Sequence, residues 1–152
     1  YDRGHMAPAG DMKWDKQAMQ ESFYMSNICP QDHNLNKGDW NDLEIKTREW
    51  ARRYGKAYVV CGPIYQKGKK IKYIGNNRVA VPHAFFKAIL IYQKNKPMIM
   101  GFYFENKAGH QSLKDYLVSI DELETMTDMD FFSLLPDEIE DDIENKVVDK
   151  LP

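Results

Sequence analysis

The sequence predicts an α+β domain with an antiparallel central sheet and flanking helices. Three observations carry that reading. Residues 57–64 and 84–92 are apolar runs of strand length, rich in Val, Ile, Phe and Tyr. Residues 40–54 place apolar side chains at helical spacing. Beyond Leu113 the pattern changes to short helices, so strands precede helices instead of alternating with them.

Taken in order, residues 1–6 read as a short strand end. A polar stretch punctuated by Gly and Pro follows over residues 7–39, holding one short helical piece near residues 15–23. The helix over 40–54 turns Trp40, Leu43, Trp50, Ala51 and Tyr54 to one side, and Gly55 stops it. The two apolar runs are too hydrophobic for strands exposed on both faces. Asn95-Lys96-Pro97 turns the chain into a third strand over 98–104. The aromatics Phe85, Phe86, Tyr92, Phe102, Tyr103 and Phe104 read as core and not as platforms for bases. Ser119-x-x-Glu122 forms a capping box with Leu123 and Met126 inward, and Pro136 suits the first turn of a second acidic segment.

A chain of 152 residues makes one ordinary domain with a real core. Its hydrophobic content of 43% and charged content of 29% are globular values. No apolar run reaches the roughly 18 residues that a membrane helix needs, so no membrane partner is expected. The formal net charge of −2 hides an asymmetry. Residues 1–100 hold 17 Lys and Arg against 9 Asp and Glu, whereas residues 101–152 hold 4 against 14. A basic front suits an anionic substrate, and the acidic stretch 137–144 would repel one. Both could equally be solvated faces. Cys29 and Cys61 are too few to argue a disulfide framework and are expected as buried free thiols.

Two constellations could carry chemistry. On a strand, Arg3 and His5 share one face, where the cation would disfavour a charged imidazole and leave it available as a base. The plainer alternative is a strand-end histidine making a surface hydrogen bond. If a helix begins near Asn36, then Asn36, Trp40, Glu44 and Arg48 form one row at steps of four. There an amide oxygen suits hydrated Mg²⁺ and Glu44 could hold the ion's waters. The plainer alternative is an Asn cap followed by an exposed Glu–Arg pair, and spacing alone favours it. Structural zinc is not expected: Cys29-x-x-x-His33 has no second pair at comparable spacing. There is no Gly-rich phosphate loop and no Gly-x-Ser-x-Gly elbow.

The segments taken together go further. Asp2-Arg3-Gly4-His5, Met25-Ser26-Asn27, Pro30-Gln31, Leu35-Asn36-x-x-x-Trp40-Asn41-x-Leu43-Glu44 and Gly62-Pro63 resemble, in this order, the DNA/RNA non-specific endonucleases. That family includes secreted bacterial nucleases and mitochondrial endonuclease G, and it uses a ββα-metal (His-Me finger) active site. Val81-Pro82-x-x-Phe85-Phe86-Lys87, the 118–124 segment and Asp130-Phe131-Phe132 are similar to bacterial members.

The resemblance implies a Mg²⁺-dependent hydrolase of DNA and RNA phosphodiesters, with Mn²⁺ as a possible substitute, leaving 5′-phosphate and 3′-hydroxyl ends. His5 resembles the general base and Asn36 the sole direct protein ligand of the ion. Glu44 resembles the carboxylate that orients the ion's waters. Arg3 and Arg48 resemble the arginines that hold phosphate, and Asn27 a supporting polar residue beside the substrate. Contacts to backbone instead of base edges would make cleavage indifferent to sequence.

Family members carry a substantial segment before Asp-Arg-Gly-His. The expectation is therefore that residues 1–152 are the C-terminal part of a single endonuclease domain, completed by an upstream fragment or a second copy. A homodimer and a periplasmic or secreted location are also expected from the family. Two alternatives from other classes stand beside the enzyme: a non-catalytic nucleic-acid-binding fragment, and an interaction module using the acidic stretch.

Overall fold

The computed structural model describes residues 1–136, 139 and 143–152. Strand β1, Asp2–His5, pairs antiparallel with β2, Ile28–Gln31, and Gly4 faces Cys29 in the register. Gly4 is needed for close approach. A Cβ there would lie 2.2 Å from Gln31 Oε1 and 2.6 Å from Gln31 Cβ. Between the two strands run α1, Lys16–Glu21, and two short 3₁₀ turns. Asp15 caps α1 by accepting from Ala18 N at 2.8 Å.

Helix α2, His33–Lys37, starts at Asp32, whose carboxylate accepts from Asn34 N and Leu35 N. Helix α3 is Asp39–Tyr54, and Gly55 at φ +85° ends it. The two helices do not run together: Gly38 bends the chain so closely over Asn34 O that a Cβ would sit 2.7 Å from it. The single helical row expected from Asn36 to Arg48 is therefore broken. Asn36 belongs to α2, while Trp40, Glu44 and Arg48 belong to α3. With β1 and β2, these helices form the expected ββα unit.

Next come β3 (Ala57–Ile64), a hairpin of β4 (Lys72–Ile74) and β5 (Val79–Val81), β6 (Ala84–Gln93), β7 (Lys96–Glu105), β8 (Leu117–Val118) and α4 (Ile120–Thr127). The main sheet has the order β3-β6-β7-β8, antiparallel throughout. Alternation along β6 sends Phe85, Ile89 and Ile91 to the side covered by Trp40, Leu43 and Trp50 of α3. Phe86, Ala88 and Leu90 face Ile120 and Leu123 of α4 with Phe131 and Leu135. The domain is thus a sheet with a core on each face. No helix among the described residues is long and apolar enough to cross a membrane.

Several expectations are corrected. Met126 is 44% exposed, because the eight-residue α4 turns only Ile120 and Leu123 fully inward. Tyr92 is also exposed, lying at the open end of β6. Strand β3 is exposed on both faces over Tyr58, Val59 and Val60. The capping box at Ser119 and Glu122 is present, and both cysteines are free thiols, half-buried. The acidic helical segment expected after Pro136 lies mostly outside the described residues.

Candidate active site

Strand β1 is the thread of the site. Asp2 reaches α2: its Oδ2 accepts from Asn36 Nδ2 at 2.9 Å, and the same carboxylate meets His33 Nδ1 at 2.9 Å. These two hydrogen bonds, Asn36 first, hold the Asp2 carboxyl below its ordinary pKa. With its NH₂ tied to Asp2, the Asn36 amide has a fixed orientation, and its oxygen, without a hydrogen-bond partner among the described residues, suits a hard cation. The donor set therefore fits a lightly ligated, hydrated Mg²⁺.

His5 sits at the far end of β1 with its ring edge-on to Phe23, centroids 4.5 Å apart. Its Nε2 is buried without a hydrogen-bond partner. Burial lowers its pKa, and a backbone contribution from Arg3 works weakly in the opposite sense. The imidazole is thus kept neutral, as expected, but by desolvation and not by the Arg3 charge. Arg3 is exposed and enters no ion pair among the described residues. A neutral imidazole with an unpartnered nitrogen can accept a proton, and an exposed guanidinium can hold a phosphate oxygen.

Asn27 secures the turn after His5. Its Oδ1 accepts from Ala7 N at 2.9 Å, and its Nδ2 donates to Ala7 O at 2.9 Å and Ser22 O at 2.8 Å. The whole amide is engaged by backbone, so in this geometry Asn27 holds the β1 end in place. Met6 continues from there into a cavity of about 280 Å³ that it lines with Asp11, Glu44, Thr47, Cys61 and Lys87.

That cavity contains the feature the sequence reasoning missed. Lys87 lies mid-β6, only 2% exposed, on the face that Phe85 and Ile89 share. Its Nζ is 3.6 Å from Glu44 Oε1 and 4.1 Å from the centroid of the Trp40 ring. Burial drives the Lys87 pKa down, while Glu44 and Cys61 oppose the shift. Burial likewise raises the Glu44 pKa against the opposing pull of Lys87 and then Arg48. Arg48 itself is held by Asp11 at 2.8 Å, in room left by Gly10, where a Cβ would stand 3.1 Å from its NH1. Lys87, Glu44, Arg48 and Asp11 therefore form one cluster of two cations and two carboxylates. A lysine flanked at two-residue spacing by Phe85 and Ile89 was the available signal for this pair.

A family model described as DNA/RNA non-specific endonuclease matches residues 1–138. Among curated relatives, mitochondrial nuclease EXOG of Xenopus laevis is 40% identical over 147 residues, 88% of this chain and 41% of the relative. Mitochondrial endonuclease G of Homo sapiens is 42% identical over 99 residues, 60% of this chain and 33% of the relative. The mitochondrial nuclease of Saccharomyces cerevisiae is 34% identical, covering 90% of this chain and 47% of that one. A chain in the crystal structure of an EndoG/EndoGI complex, whose subject is EndoG inhibition, superposes with a TM-score of 0.84. It is 31% identical, with 91% of this chain and 61% of that chain covered. The chain spans less than half the length of the three curated relatives. Their mitochondrial names overturn the expectation of a periplasmic or secreted location.

Proposed function

Since the chain belongs to the DNA/RNA non-specific endonucleases, a family of metal-dependent nucleases, we propose that it hydrolyses phosphodiester bonds of DNA and RNA with Mg²⁺ to 5′-phosphate and 3′-hydroxyl ends. The observation that carries this reading is the arrangement along β1. The strand ties Asn36 at Asp2, exposes Arg3 and leaves a neutral His5 with a partnerless Nε2.

In this reading His5 Nε2 takes the proton from the water that attacks phosphorus. Arg3 holds a non-bridging oxygen of that phosphate and offsets its growing charge. The Asn36 oxygen would hold Mg²⁺, with Mn²⁺ able to substitute, and Glu44 would orient the ion's waters. When bound, the ion supplies charge neutralisation at the phosphate and at the departing 3′-oxygen. Lys87 fixes one Glu44 oxygen from the core side and leaves the other for the cavity. Arg48, steered by Asp11, is the second phosphate-holding arginine, and Asn27 positions the end of β1.

Recognition through phosphates explains indifference to base and sugar. We place the protein in mitochondria on the strength of its relatives' names. Cleavage of plasmid DNA and of RNA, with and without Mg²⁺, tests the reading. Cleavage of both only with the metal supports it, and an inert protein that still binds nucleic acid contradicts it.

That second outcome has an observation of its own. Among the described residues β3 pairs on one side only, with β6, and its apolar residues Tyr58–Val60 are exposed. A chain shorter than its relatives could bind without turning over until an upstream fragment or a second copy, as in a homodimer, covers that edge. Higher turnover on adding an upstream segment taken from such a relative would support this; unchanged turnover would contradict it.

A further inference from the structure

The loop and hairpin between β3 and β6 take no part in the chemistry above. Residues 67–78 hold Lys67, Lys69, Lys70, Lys72 and Arg78 and no carboxylate. All five cations are exposed, and none enters an ion pair among the described residues. This is a built loop. The His83 ring receives Gln66 N at Nδ1, 3.0 Å, and donates from Nε2 to Lys70 O, 3.2 Å, a single neutral tautomer that satisfies both contacts. Asn106 anchors the surroundings by donating to Pro30 O and Pro82 O while accepting from Asp32 N.

The loop is aimed at β1. Lys72 Nζ lies 5.0 Å over the centroid of the Tyr1 ring and 3.4 Å from its hydroxyl. Tyr1 remains 56% exposed. Arg3 and His5 share one face of β1, and Tyr1 immediately precedes the strand, about 13 Å along the chain from His5 at about 3.3 Å per residue. A ring steadied by a cation, with further cations beside it, is how proteins hold unpaired bases without reading them.

From this juxtaposition we infer that Tyr1, Lys72 and the Lys67–Lys69–Lys70 loop form a second contact surface for single-stranded nucleic acid, taking the strand a short way from the scissile phosphate. A base stacks on the open face of Tyr1, and the lysines take the neighbouring phosphates. The inference rests on the nuclease reading for the nature of the ligand.

The test is equilibrium binding by fluorescence anisotropy in EDTA, where no cleavage occurs. The probes are labelled oligothymidylate about 12 nucleotides long and an abasic backbone of equal length. For the triple variant Lys69→Gln, Lys70→Gln, Lys72→Gln, affinity should fall at least about tenfold and the log–log salt slope by about 2, near 0.7 per lost contact. Tyr1→Leu should weaken oligothymidylate by about fivefold or more and leave the abasic backbone untouched, while Tyr1→Phe keeps the stack and the affinity. Unchanged affinity and salt slope in the triple variant would overturn the inference and leave the nuclease reading standing. So would a Tyr1→Leu loss equal on both probes. A wild-type protein that binds neither probe would overturn both.

Discussion

Lys87 is the residue whose presence stability alone does not explain. A buried ion pair gains little as a whole, since well-packed apolar residues in place of both partners are often neutral or stabilising by about 1–4 kcal/mol, whereas removing one partner alone costs about 3–5 kcal/mol. Lys87→Met leaves the Glu44 carboxylate buried without its cation, so it is expected to lower the midpoint of urea unfolding as well as cleavage, with Lys87→Arg retaining more of both. A variant equally stable and fully active would remove Lys87 from the account. His5 makes a pH prediction. Burial lowers its folded pKa below the ordinary value, so the neutral base persists at pH values where a free imidazole, near about 6.5, is half protonated. The acid limb of the pH–rate profile should fall below that value. The linked stability has a definite sign. The unfolded chain binds the proton more tightly, so stability is lost as pH falls from about 6.5 through the folded pKa. His5→Ala should remove that component. Asp2, Lys87 and Asp11 were not assigned roles from sequence because their meaning lies in partners 34, 43 and 37 positions away. His5 and Asn36 were singled out through the family resemblance of their segments, since spacing alone favoured the plainer readings.

At the scale of elements, the long, strongly patterned pieces were readable: α3, β3, β6, β7 and the Ser119 cap stand close to where periodicity and capping chemistry put them. Strand β2 was not, because four residues including Pro30 give no alternating pattern. The β4–β5 hairpin was hidden by its lysines, which carry no apolar period. The break between α2 and α3 escaped because helical spacing continues across Gly38 while the backbone does not. Two glycines, Gly4 and Gly38, allow the close approaches that the elements of the candidate site require. Gly4→Ala drives a methyl into Gln31 and should cost about 1–3 kcal/mol, read by thermal unfolding, together with activity as β1 moves off β2. Asn27→Ala should cost a similar amount, because Ala7 N and O lose their partners. If either variant unfolds like the wild type, the rigid β1–β2 platform is not what positions His5.

Over the whole molecule, two cores clamp one sheet, and the candidate site lies where the ββα unit meets the α3-facing core. The fold class was readable from composition and pattern. The cost of placing the site at the core edge was not: a charge pair under α3 and an unpartnered imidazole are visible only once the sheet is assembled. The first 100 residues concentrate the positive charge, so binding of nucleic acid should weaken linearly in log–log form as salt rises, at equal cost for all sequences. The most direct measurement is the Mg²⁺-dependent cleavage rate of one plasmid by the wild type and by His5→Ala under identical conditions. A loss of about 10²–10⁴-fold with substrate binding retained is the expected result. Equal rates would contradict the assignment of His5 as the base and with it the reading of β1 as the catalytic strand.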